Sequence, residues 1–203
     1  MTTNIASSLK SKKLIVFDLD GTIVNLAADW HSLRKKLNAR YSKMYKEQGQ
    51  FSSMSGLLND IVSRGDEEEL QNNFSIMQQY ELENITKSEP IKEVVHFINN
   101  LEFFGVNSGV KLAVFSLNTR ATIIKSLQLA GVANKFEFFI GREDVRAWKP
   151  EPEGLLKIRD HFQVLNEDMI YFGDLKKDLL AGANAGVESY FISDLIKLVR
   201  KVR

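Results

Sequence analysis

An α/β fold, a doubly wound parallel sheet carrying an inserted block of helices, is what this sequence predicts, on three observations. Short apolar runs recur along the chain and are continuous rather than alternating, as strands covered on both faces require. Helix-period segments separate most of them, so strands and helices alternate as in βαβ units. One long stretch, from about Leu26 to Lys87, interrupts this alternation with helical pattern alone.

In chain order, the polar opening MTTNIASSLKSKK reads as a frayed start, without the apolar core of a signal segment. Leu14–Phe17 (LIVF) is the first strand. ADWHSLRKKLNARYSKMYKE, SGLLNDIVSR and DEEELQNNFSIMQQYELENI then read as about three helices. Pro90 and the helical segment Ile91–Phe104 lead through Gly105–Gly109 to the strand Leu112–Phe115 (LAVF). A helix over Thr119–Ala130 stops at Gly131, and the strand Phe136–Ile140 follows. The helix Glu153–Phe162 starts just after Pro152, a residue suited to a helix start. Met169–Phe172 and Ser189–Ile192 complete the strands; between them, Asp174–Ala185 is a helix ending at Gly186. The last helix, Asp194–Val202, carries Lys and Arg at its carboxyl end, where the helix dipole favours them. The predicted division is a Rossmann-like core of residues 1–25 and 88–203, with a helical cap over 26–87. The aromatic pairs Phe103-Phe104 and Phe138-Phe139 read as core.

Composition narrows the function classes. The chain has 203 residues, 44% of them hydrophobic, enough to bury a sizeable core. A formal charge of +1 offers no global attraction to nucleic acid or to an anionic membrane. Absence of cysteine excludes disulfides and cysteine–zinc sites and fits a reducing compartment, so a cytoplasmic protein is expected. No apolar segment is long enough to span a bilayer.

The opening strand ends in Asp18 and Asp20, two apart and on one face, with Gly21 freeing the turn after them. In open α/β sheets, ligands sit outside the carboxyl ends of the strands. The same edge recurs: Ser116 and Asn118 follow LAVF, Asp174 and then Asp178 follow MIYF, and Lys149-Pro150 lies beyond FEFFI. Singly, each has a plainer explanation as a turn former, a helix cap or a surface lysine. Together they place four acids and a lysine on one rim, where like charges repel unless a cation sits among them. Few hard oxygen ligands suit Mg²⁺ with a substrate phosphate.

DLDGT, then Ser116-Leu117-Asn118, then Lys149-Pro150, then GDLKKD at Gly173–Asp178 resemble the four ordered motifs of the haloacid dehalogenase-like hydrolase superfamily. The resemblance runs from Leu14 to Ile192, and the insertion after the first motif is similar to the helical cap of its phosphoglycolate phosphatase and β-phosphoglucomutase branch. It implies a Mg²⁺-dependent phosphatase acting on a small phosphorylated metabolite. Asp18 would be the nucleophile that becomes an aspartyl phosphate, and Asp20 the general acid and base. Asp18, the backbone carbonyl of Asp20 and Asp174 would hold Mg²⁺; Lys149, Ser116 and amides near Asn118 would cradle the phosphoryl oxygens. Asp178 would order a metal-bound water or orient Lys149. Dehalogenases of the superfamily lack an acid at the Asp20 position, which points this chain to phosphoryl transfer.

Two alternatives stand beside that implication: a phosphomutase of the same fold, and a binding or regulatory module without catalysis. A mutase-like chain would carry a histidine ten positions after Asp20, where this one has Trp30, with His31 one step on. In the cap, the basic run Arg34, Lys35, Lys36, Arg40, Lys43 and Lys46 either faces an anionic substrate or solvates the lid against the acidic Asp66–Glu69 segment.

Overall fold

The structure, a computed structural model, describes residues 2–202. Its strands in chain order are β1 (Leu14–Phe17), β2 (Val24–Asn25), β3 (Glu89–Pro90), β4 (Lys111–Phe115), β5 (Phe138–Ile140), β6 (Met169–Gly173) and β7 (Glu188–Phe191). Five of them form one parallel sheet in the order β5-β4-β1-β6-β7, while β2 and β3 pair antiparallel on their own. The helices are α1 (Thr2–Leu9), α2 (Trp30–Tyr45), α3 (Met54–Ser63), α4 (Glu67–Glu83), α5 (Lys92–Asn99), α6 (Arg120–Leu129), α7 (Glu153–Phe162), α8 (Lys176–Ala185) and α9 (Ile192–Val202).

The unbroken apolar runs have a simple cause. Ile15 and Phe17 of β1, Leu112 and Val114 of β4, and Ile170 and Phe172 of β6 enter one core. Their neighbours Leu14, Val16, Ala113, Phe115, Met169 and Tyr171 enter the other, so each strand feeds both faces. In-register pairing, with Val16 opposite both Ala113 and Tyr171, keeps the three strand ends level. Burying such side chains contributes roughly 1.5–3 kcal/mol each, which holds the edge beyond them rigid.

Helices α2, α3 and α4 occupy the stretch predicted to be purely helical, and each starts at a side-chain cap. Asp29 accepts from Ser32 N at 3.1 Å, Ser53 from Gly56 N at 3.1 Å and Asp66 from Glu69 N at 3.0 Å. Their apolar stripe, including Leu33, Leu37, Leu58 and Phe74, joins the same core as Phe115 and Trp148. β2 and β3 bracket this helical block, with Asn25 opposite Glu89.

Three readings need correction. The opening segment is not frayed: Ile5 and Leu9, one helical turn apart, are buried against the core in α1, and Ser8 Oγ donates to Glu188 at 2.7 Å; Met1 lies outside the described residues. The segment Ile91–Phe104 is not one helix. It breaks after Asn99, where the Asn100 amide turns back to the His96 carbonyl at 2.8 Å, and continues as a 3-10 turn. Phe103, read as core, is 62% exposed.

Candidate active site

Asp18 continues the hydrogen bonding of β1, its N–H donating to Phe172 O at 2.8 Å, so its backbone is fixed by the sheet. Lys149, reaching in from the loop after β5, is buried. Its Nζ donates to Asp18 Oδ1 at 2.9 Å and to Asp178 Oδ1 at 2.8 Å. The ammonium also sits 4.6 Å from the Phe115 ring centroid, a cation–π contact. Burial alone would lower the Lys149 pKa, but the two carboxylates raise it above the usual lysine value, so this lysine stays charged.

Asp178 accepts on both oxygens. Its Oδ1 also accepts from Tyr171 OH at 2.9 Å, and Oδ2 accepts from Leu175 N at 3.0 Å. Burial works against its charge, yet Lys149 and these donors hold it below the usual carboxylate range. Between the two roles open for Asp178, this bonding matches a group that orients Lys149.

Asp174 is the opposite case. Its Oδ1 is buried with no hydrogen-bond partner. Burial, then the charges of Asp18 and Asp178, push its carboxyl up to about 7. Burial likewise raises Asp18. Carboxylate oxygens of Asp18, Asp174 and Asp178 lie within 4.8 Å of one another. Gly21, at φ +73°, lets the turn after Asp20 close on this cluster; a Cβ there would stand 2.5 Å from Asp174 Oδ2. An orphaned buried oxygen among converging acids fits a hard divalent cation held by Asp18 and Asp174.

Asp20 shares a cavity wall with Asp18 and Asp174 but is held by a different set of donors. Its Oδ1 accepts from Leu26 N at 2.8 Å and its Oδ2 from Trp30 Nε1 at 2.8 Å, so its side chain is outside the acidic trio. Burial raises its pKa, and those two bonds partly offset the rise. Ser116 and Asn118 are buried beside one another, Ser116 Oγ donating to Asn118 Oδ1 at 3.0 Å.

Asp18, Asp20, Ser116, Asn118, Lys149 and Asp174 line one cavity of about 410 Å³, whereas Asp178 lies outside its wall. The insertion contributes Trp30, Arg34 and Ser53 to its wall. Of the basic run on α2, Arg34 therefore reaches the cavity, Arg40 pairs with Glu69 at 2.6 Å, and Lys35, Lys36, Lys43 and Lys46 are exposed. Arg120 is drawn off to Asp144 at 2.7 Å. Sequence reasoning missed Tyr171, Lys177 and Arg142, the last two also lining the cavity. Tyr171 sat within an apolar run, and Arg142 followed Gly141 with no motif to mark it.

The haloacid dehalogenase-like hydrolase family profile matches residues 15–192. Pyrophosphatase PpaX of Halalkalibacterium halodurans is 28% identical over 185 residues, covering 90% of this chain and 84% of the relative. Among solved structures, a candidate phosphoglycolate phosphatase from Lactobacillus plantarum superposes with TM-score 0.65 at 14% identity, over 92% of this chain and 88% of its own. A haloacid dehalogenase-like protein from Bacteroides fragilis gives 0.62 at 19% identity, over 88% and 86%. These two structures are similar in fold.

Proposed function

The chain belongs to the haloacid dehalogenase-like hydrolase family, and from that premise we propose that it is a Mg²⁺-dependent phosphatase of a small phosphorylated metabolite. The reading covers phosphoglycolate-like compounds and sugar phosphates, and the PpaX relative adds pyrophosphate to the candidates. The observation that carries it is the half-buried Asp174 carboxylate beside Asp18, with its Oδ1 buried and unpartnered.

Asp18 has Oδ1 held by Lys149, and its other oxygen attacks phosphorus. As the new P–O bond forms, the bond to the leaving oxygen breaks, and Asp20 supplies that oxygen with a proton. Burial raises the Asp20 pKa, which favours the protonated form a general acid needs. Asp20, now deprotonated, takes a proton from water; the water oxygen attacks the aspartyl phosphate, and the bond to Asp18 breaks to free inorganic phosphate. Lys149 stabilises charge on the phosphoryl oxygens, and Ser116 with the amide of Asn118 completes the cradle. Mg²⁺ held by Asp18, Asp174 and the Asp20 carbonyl would neutralise the phosphoryl group that otherwise repels an anionic nucleophile.

In this reading residues 26–87 act as a lid on the core of 1–25 and 88–203, with β2 and β3 as the crossing point. Trp30, occupying the Asp20 oxygen at 2.8 Å, weighs against a mutase-like histidine there. The test is inorganic phosphate release from p-nitrophenyl phosphate, pyrophosphate and a panel of phosphorylated metabolites, with and without Mg²⁺. Mg²⁺-dependent release is expected. Absence of release from every ester would leave a non-catalytic module, and phosphate moved within the substrate rather than released would leave a mutase.

A further inference from the structure

Arg142 is the one charged side chain of the cavity wall whose chemistry the phosphatase steps leave unused although it is almost wholly buried, at 2% exposure. Its backbone is clamped. Arg142 N donates to Asn118 O at 2.9 Å, and its carbonyl accepts from Trp148 Nε1 at 2.9 Å. Gly141 before it packs so closely on the motif loop that a Cβ would stand 2.8 Å from Arg120 N. The side chain thus enters the cavity wall from a backbone fixed on the loop of Asn118.

Its partner there is incomplete. Arg142 Nη1 lies 3.0 Å from Glu81 Oε1 of α4, but both atoms are buried and neither has an aligned hydrogen bond. Glu81 spends its other oxygen on Thr119 N and Thr119 Oγ1, each at 3.0 Å. Arginine carries five donors in a planar fork that matches carboxylate and phosphate oxygens. Lys149 cannot serve the same purpose for a distant group, because Asp18 and Asp178 already hold its ammonium.

We propose that Arg142 binds a second anionic group on the substrate, so that the cavity selects phosphate compounds bearing a carboxylate or a second phosphoryl group over sugar phosphates. The inference rests on the phosphatase reading for its first anion, but its test does not require turnover. Calorimetry with Mg²⁺ in excess compares methylphosphonate, which has one anionic group, with phosphonoacetate and methylenediphosphonate. The wild-type protein is expected to bind at least one of the latter two about tenfold more tightly than methylphosphonate, as a charge-assisted hydrogen bond implies. Whichever is preferred identifies the second anion.

Arg142→Gln should shrink that preference to about threefold or less, while Lys176→Gln, an exposed lysine outside the cavity wall, should leave it in place. Should Arg142→Gln fail to fold because Glu81 is stranded, Glu81→Gln/Arg142→Gln removes both charges and carries the same comparison. A wild-type protein with no preference or no binding of either bis-anion, or a preference that survives loss of Arg142, would overturn the proposal. Failure of the phosphatase reading is separate: it is the absence of Mg²⁺-dependent phosphate release.

Discussion

At the carboxyl edge of the sheet, Lys149 holds Asp18 at 2.9 Å and Asp178 at 2.8 Å, with the lysine side chain 1% exposed. On the inserted helices, Arg64 holds Glu47 and Asp60 at 2.6 Å, with its own side chain 32% exposed. The surface pairs are the shorter ones, yet contact length does not rank them. Water screens the exposed charges whether or not they meet, so such pairs are worth little. Buried charges have lost their hydration, and each depends on its partner. Each cluster holds two carboxylates on one basic side chain, but of these two only the one at the sheet edge is buried enough that removing a member leaves another stranded.

The largest expected effect separates the two carboxylates of the opening strand. Asp18→Asn should abolish phosphate release, because the amide cannot form the aspartyl phosphate. Asp20→Asn should retain a slow enzyme, reduced roughly a hundred- to ten-thousand-fold, that still becomes phosphorylated. Steady-state release and trapping of the phosphoenzyme measure both. Equal partial losses would break the distinction between a nucleophile locked by the sheet and an acid held partly by the insertion.

Next comes stability. Lys149→Met leaves Asp18 and Asp178 buried without a cation, and denaturation should show a loss of about 3–5 kcal/mol. Arg64→Met should cost markedly less in the same measurement, despite its shorter bonds. The reverse ranking would mean that burial is not what distinguishes the two regions.

Much of this edge was legible because it is local. Phe17 to Asp18, Phe115 to Ser116 and Phe172 to Asp174 are abrupt switches from strand to polar group, and parallel pairing aligns them without further information. The place of Asp178 in the acidic cluster was legible but its bonding was not; Tyr171 OH and Leu175 N, which donate to it, become visible only once α8 is packed on β6. Arg142 and Glu81 come from a loop and an inserted helix, and nothing in either segment signals the other. α1 was missed for a different reason. Among the described residues Ile5, Ala6 and Leu9 form its apolar face, too little periodicity to count until α9 supplies the surface they cover.

Trp30 is where the two regions touch chemically, and there the smallest effect is expected. The indole N–H donates to Asp20 Oδ2 at 2.8 Å, stabilising the charged carboxylate. Burial already raises the Asp20 pKa, and this bond, with that from Leu26 N, works against the rise. Trp30→Phe removes one of the two donors, so the Asp20 pKa should climb further. In kcat/KM for an alkyl phosphate ester Asp20 must be protonated to serve the leaving oxygen, so the alkaline limb of the pH profile should move to higher pH. The maximum rate should fall about tenfold, near the lower end of what one hydrogen bond to a charged group is worth. A limb that stays in place or moves to lower pH would show that the insertion does not tune Asp20 through its bond to Trp30.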